Sequence, residues 1–152
     1  MQEQLQQQES NQAYVASTAP VGQLKANKSL LKYILLSLLT CGIYSIVFFY
    51  SISENINAVA GRYDGKKTMN YALLFFLIAP LTLGIGYIVW LHKLSARTGN
   101  ELRRRDINYS FGAGTFWLWS VLGTLIFVGP FVYLHKLCRS SNMLAEHYNA
   151  NG

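Results

Sequence analysis

Leu38-Leu39-Thr40-Cys41-Gly42-Ile43-Tyr44 lies inside an unbroken run, Tyr33 to Ser53, without a formally charged side chain. Its core returns as Thr82-Leu83-Gly84-Ile85, inside a second uncharged run from Thr68 to His92. A third run, Ile107 to His135, leads into Leu134-His135-Lys136-Leu137, the same tetrapeptide as Leu91-His92-Lys93-Leu94 after the second. Gly42 suits the left-handed cap that ends a helix, and Ile43 suits the apolar contact that accompanies it. One motif used three times, with a break inside each copy, therefore organises the chain.

A helix rising ~1.5 Å per residue needs roughly 20 apolar residues to cross a hydrocarbon core ~30 Å thick. Each uncharged run is long enough. A soluble bundle of three helices apolar all round would need more polar surface than a chain of 152 residues supplies. The fold class predicted is an all-α integral membrane protein. Three Gly/Pro-kinked hydrophobic segments form degenerate internal repeats, each followed by a polar amphipathic helix.

The breaks fall at Gly42, at Pro80, Gly84 and Gly86, and at Gly123, Gly129 and Pro130. Two arrangements fit them. Each unit is either one kinked span or a re-entrant hairpin that returns to the face it came from. Three spans place eight Lys and Arg on the amino-terminal side against five on the other, which favours a cytoplasmic amino terminus. Lys or Arg occurs in all four polar segments, as hairpins would require. A mid-membrane turn, however, leaves backbone groups that cost several kcal/mol each unless protein shields them. On that cost, three kinked spans are the expected arrangement.

Residues 1–28 hold seven Gln and two Glu and are expected to be a disordered tail, too poor in apolar side chains to offset the entropy of ordering. The acidic start does not resemble a signal peptide. Ala58-Val59-Ala60 has the small-x-small form of a signal-peptidase site, but the preceding run is too long for a secretory segment, so no cleavage is expected there. The membrane domain is placed at 29–149, with repeat units at about 29–60, 68–105 and 110–149, and 150–152 as a short tail.

Aromatic residues crowd the second half of each unit, and Trp90 and Tyr133 are expected at the membrane interface together with His92, Lys93, His135 and Lys136. Ile88, Leu91, Leu94 and Leu102 share much of one helical face, with Lys93, Arg97, Arg103 and Arg104 largely on others, a pattern suited to a membrane surface. Arg103-Arg104-Arg105 is expected to anchor topology or meet anionic lipid.

No enzymatic chemistry is legible. The uncharged runs supply no carboxylate or ammonium for a shielded site, and His92 and His135 hold the same repeat position beside Lys, as duplicated surface residues would. No metal site, cofactor or catalytic residue is expected. Cys41 and Cys138 have no Cys-x-x-Cys partner and are read as unpaired small apolar residues. The net charge of +6 is spread over segments flanking apolar runs, so nucleic acid is not an expected partner.

Leu38 to Tyr44, the aromatic stretch that follows and Ser53-Glu54-Asn55-Ile56-Asn57 together resemble the bacterial membrane proteins grouped as domain of unknown function 4234. Members show a Thr-x-Gly-Ile-Tyr core and a trailing polar helix. The resemblance covers about 28–100, with 110–149 as another degenerate copy; Cys41 stands where an aliphatic residue is expected and Gly86 where the Tyr is. It implies a multi-pass protein of a bacterial cytoplasmic membrane and brings no activity, catalytic residue or cofactor. The expected role is that of a structural or interaction protein, with the lipid bilayer and a homo-oligomer or membrane-protein partner. The alternative is a small oligomeric channel or transporter whose path is lined by carbonyls freed at Gly42, Gly84 and Gly129.

Overall fold

The computed structural model describes residues 2–6 and 22–152, and within 22–152 the chain forms three helical hairpins. In the first, α1 (Leu30–Leu39) turns at Thr40–Gly42 into α2 (Ile43–Asp64). In the second, α3 is a helical run over 71–81 with a π-helical middle, Leu74–Ile78, and α4 spans Ile85–Arg104. In the third, α5 runs over 113–126, π-helical at Phe116–Val121 and 3-10 at Leu122–Ile126, and α6 spans Gly129–Asn151. Leu74 and Phe116 open the two π stretches and are both fully buried.

The breaks expected to be kinks are chain reversals. After α1 the Gly42 N–H reaches back to the Ser37 carbonyl at 2.7 Å, and Cys41 and Gly42 take left-handed φ values of 51° and 93°. The Thr40 hydroxyl donates to the Leu36 carbonyl at 2.7 Å and accepts the Tyr44 N–H at 2.9 Å, tying the end of one leg to the start of the next. The second turn repeats the first: Gly84 N–H to Ala79 O is 2.9 Å, Leu83 and Gly84 stand at 51° and 87°, and Thr82 bridges Ile78 and Gly86. These bonds satisfy carbonyls that a helix end would leave open. In the third turn Phe127, at φ 58°, occupies the left-handed position, and the glycines serve elsewhere. A Cβ on Gly129 would overlap the Gly123 Cα and the Trp119 carbonyl, so the two legs touch through backbone.

Contacts across each hairpin confirm the reversal. Tyr33 lies 4.5 Å from Phe48 between ring centroids and its hydroxyl is 3.1 Å from Ser45 Oγ. Trp90 Nε1 donates to the Met69 carbonyl at 2.8 Å, and Phe116 lies 5.7 Å from Tyr133. Each uncharged run therefore counts two legs of one hairpin, not one crossing. The short α1 reaches only ~15 Å, and among the described residues no helix is long and apolar enough to cross a membrane.

The long second legs run parallel and nearly in register. Phe49 meets Trp90 at 6.1 Å, Arg97 Nη1 donates to Asn57 Oδ1 at 2.6 Å, Ser95 Oγ lies 2.8 Å from the Tyr133 hydroxyl, and Arg105 Nη1 lies 2.9 Å from His147 Nδ1. The three polar contacts join positions 40, 38 and 42 apart, close to the repeat period. All three turns consequently lie at one end of the molecule. The core lies beyond them, where Ile52, Ile56, Leu94, Leu102, Leu137 and Leu144 are buried between the long helices.

Each long helix also holds the segment that leads into the next hairpin. Asn57 of α2 grips Thr68 through both amide atoms, its Oδ1 accepting the N–H at 2.6 Å and its Nδ2 donating to the carbonyl at 3.1 Å. Gly99 of α4, in the same repeat position, leaves room for the Phe111 backbone. Asn142 of α6, again in that position, grips Lys28 at 2.9 and 2.7 Å, and Asn149 grips Leu24 at 2.7 and 2.9 Å. The third hairpin thus closes a ring on the first. These bonds also engage the end of the stretch expected to be a disordered tail, most of which lies outside the described residues, and α6 continues through 150–151 of the expected carboxy-terminal tail.

Candidate functional site

The turn end is apolar and uncovered. Leu39 is 80% exposed, Leu83 93% and Phe127 85%, and Leu38, Ile43, Leu81, Ile85, Leu125 and Ile126 are exposed around them. A surface of this kind is far larger than the scattered apolar residues of an ordinary soluble domain. The opposite end carries Arg62, Arg103 and Asp106, all exposed. The side chains of one molecule are thus sorted by polarity along the hairpin axis.

Beside the second hairpin a cavity of about 990 Å³ runs between these two regions. Ile78, Ile85 and Val89 line it toward the turns, and Lys66, Lys67, Lys93, Arg97 and Arg104 toward the polar end. Arg97 is committed: its Nε meets Asp64 Oδ2 at 2.7 Å, its Nη1 donates to Thr68 Oγ1 at 2.7 Å, and its Nη2 donates to the Lys66 carbonyl. That guanidinium holds the Asp64 carboxyl below the usual carboxylate range. Arg104 Nη2 lies 2.5 Å from Glu101 Oε1, and its guanidinium stacks 3.4 Å over Tyr63. Lys66, Lys67 and Lys93 are exposed and have no ion-pair partner among the described residues.

The expected site residues separate into three groups. Gly42 and Gly84 form the turns; Pro130 sits in the first turn of α6, where a missing N–H costs nothing, and Pro80 stands next to last in α3, just ahead of the second turn; Gly86 lies against Ile78 and Gly129 against Gly123. Trp90 and Tyr133, expected at an interface, are core residues, 4% and 2% exposed. His135 and Lys93 are exposed, Lys136 Nζ lies 3.4 Å from the Ser110 carbonyl, and His92 is half-buried with its Nδ1 accepting from Trp117 Nε1 at 3.1 Å. Lys93 and Lys136 each stand nine positions beyond their turn residue, Gly84 or Phe127.

The arginine triplet is divided. Arg103 is exposed and bonds Asn100 at 2.6 Å, Arg104 lines the cavity, and Arg105 points inward, 8% exposed. Its Nε meets Glu101 Oε1 at 2.7 Å, and its two Nη atoms donate to the carbonyls of Gly152 and Val59 at 2.8 and 3.2 Å. Arg105 thus ties three long helices together and is unavailable to lipid. Among the described residues no group of three His, Cys, Asp or Glu side chains converges as a metal site would require.

Reading the sequence alone missed the asparagine clamps and the cavity rim. Asn57 and Asn142 share a repeat position, a signal that alignment of the copies carries; Lys66 and Lys67 precede α3 while Lys93 and Arg97 stand on α4, and only the reversal at Gly84 brings the two sets together. Residues 28–100 match the family described as domain of unknown function (DUF4234), a stretch that covers the first hairpin and most of the second. The chain matches no curated protein and no solved structure.

Proposed function

Over residues 28–100 the chain belongs to the domain of unknown function 4234 family, and from that premise we propose a non-enzymatic membrane protein that dips three hairpin turns into one leaflet and keeps its helical bundle at the surface. The observation that carries this reading is the concentration of exposed Leu, Ile and Phe at one end of three parallel hairpins. Depth supports it: about two and a half turns of helix separate the turn residues from His92-Lys93 and His135-Lys136, a rise of ~14 Å, close to half of a ~30 Å hydrocarbon core. The basic pairs then stand at headgroup level while the turns reach the midplane.

All four basic segments lie on the bundle side in this arrangement, which places that side and the amino terminus in the cytoplasm by the positive-inside bias. The role is structural or adaptor-like, the bundle presenting its polar surface to a partner while the turns hold it on lipid. Nothing in the geometry favours a channel. The carbonyls before Gly42 and Gly84 already accept hydrogen bonds within their turns.

Flotation with phosphatidylcholine vesicles after detergent removal tests the reading. The intact chain is expected to float, and Leu83→Lys with Leu125→Lys to lower binding at least 100-fold, because one Lys at the bilayer centre costs on the order of 3 kcal/mol. Circular dichroism of the same variant should keep its helix signal. Single cysteines at Gly65, Asp106 and Glu146, in a background with Ser at Cys41 and Cys138, should all react with an impermeant maleimide from one side. Reaction from opposite sides would overturn the arrangement.

A further inference from the structure

We propose that the cavity beside the second hairpin binds one anionic glycerophospholipid, its phosphate at Lys66, Lys67 and Lys93 and an acyl chain along Ile78, Ile85 and Val89. The inference rests on the membrane reading above and adds to it a specific ligand class and site.

Three features select this occupant. The cavity of about 990 Å³ far exceeds the volume of a phosphate group alone, and its apolar half opens beside side chains at the turn end that are themselves exposed, Ile85 at 65% and Val89 at 45%. An acyl chain enters there without leaving the hydrocarbon. The polar half holds five basic side chains and two acidic ones, Asp64 and Glu101, both already engaged by Arg97, Arg104 and Arg105. The charge left over is that of three lysines, which an anionic headgroup complements and a zwitterionic one does so only weakly.

The position along the hairpin agrees. Lys93 follows Gly84 by nine positions and so stands ~14 Å from the turn, at phosphate depth, while Ile85 and Val89 lie below it at acyl depth. Lys66 and Lys67 reach the same rim because Asn57 fixes the adjoining Thr68 and Arg97 holds the Lys66 carbonyl. The cationic rim is therefore set by the backbone clamps of the fold.

Trp90 lines the cavity and reports on it. In neutral detergent micelles, a chain with Phe at Trp117 and Trp119 is titrated with phosphatidylglycerol brominated in one acyl chain, and Trp90 fluorescence is followed. Saturable quenching is expected at a mole fraction where brominated phosphatidylcholine quenches little. Lys66→Gln, Lys67→Gln and Lys93→Gln together should raise the half-saturating amount about 100-fold, at roughly 1 kcal/mol for each basic residue. Val89→Trp, which fills the apolar half and leaves the lysines in place, should abolish saturation when read by native mass spectrometry of the bound lipid.

Equal quenching by the two lipids would overturn the proposal. So would displacement of brominated phosphatidylglycerol by glycerol phosphate or by a polyglutamate peptide as readily as by unbrominated phosphatidylglycerol, because the site would then recognise charge without a chain. Flotation on phosphatidylcholine reads the membrane arrangement separately. A chain that floats but shows no preference in micelles retains that arrangement and loses this site.

Discussion

Phe127 stands at the turn position that the other two hairpins give to glycine. Its φ of 58° matches Gly42 at 93° and Gly84 at 87° in sign, and a side chain there costs roughly 1–2 kcal/mol. Its ring points away from the bundle, 85% exposed, and makes no contact in the core that would offset that strain. Strain retained for an exposed aromatic is explained if the ring is buried in something else. Phe127→Gly should therefore raise unfolding stability in detergent by about 1 kcal/mol while weakening vesicle binding at least tenfold, since an exposed Phe is worth ~1.5–3 kcal/mol on transfer to hydrocarbon. Denaturation midpoints and flotation measure the two effects. Unchanged flotation would remove lipid as the reason for this residue. Gly84→Ala should do the reverse to stability, lowering it by about 1 kcal/mol, because space around that position is open and only φ is at stake.

Among elements, the extended segment over 24–28 and helix α6 form one unit, joined by the amides of Asn142 and Asn149. The segment brings Lys28 beside Cys138, and burial pushes the lysine down to about 8 and the thiol up to about 11, against ordinary values of 10.5 and 9.0. Between pH 8 and 9 the folded chain has released the Lys28 proton while the unfolded chain still binds it, so stability rises with pH there. Above pH 9 the unfolded chain loses the Cys138 proton first, and the rise is opposed. The expected profile climbs from pH 8 to 9 by at most about 1.4 kcal/mol, then flattens; Lys28→Met should remove the climb and Cys138→Ser should prolong it. Urea titrations in detergent at half-unit pH steps read this. A flat profile from pH 8 to 9 in the unaltered chain would mean that the segment does not bury Lys28.

The same elements mark where sequence reasoning stopped. Thr40-Cys41-Gly42-Ile43 is legible as a helix end, and its copy at Thr82 makes the repeat and an all-helical fold legible too. Whether the chain bends or reverses depends on a second left-handed residue, Cys41 or Leu83, and on Tyr33 meeting Phe48 and Met69 meeting Trp90, none of which hydropathy encodes. The uncharged runs thus passed a length test for spans while being folded in two. Trp90 and Tyr133 misled for a related reason: an aromatic ring near a basic pair suits a headgroup or a helix contact equally, and their partners, Met69 and Ser95, belong to other segments of the chain. The basic rim of the cavity was legible as charge but not as a place.

For the molecule as a whole, the cyclic relation of the hairpins carries the strongest consequence. Asn57, Gly99 and Asn142 occupy one repeat position on α2, α4 and α6, and each receives the segment before the following hairpin, the last handing on to the first. Three units linked that way share one axis direction and one depth, although their turns differ in sequence. Spin labels at Cys41, Leu83 and Leu125 should therefore report equal depth near the midplane of vesicles, protected from an aqueous relaxant and open to oxygen. Labels at Tyr50, His92 and His135, equivalent to one another in the repeat, should lie at headgroup depth and respond to the aqueous relaxant. Depths that differ by more than a helical turn, about 5 Å, among the first three would show that the hairpins do not enter lipid as one body. Equal depths for all six labels would mean that the molecule lies flat, and the polarity gradient along its hairpins would then serve a protein partner, not a leaflet.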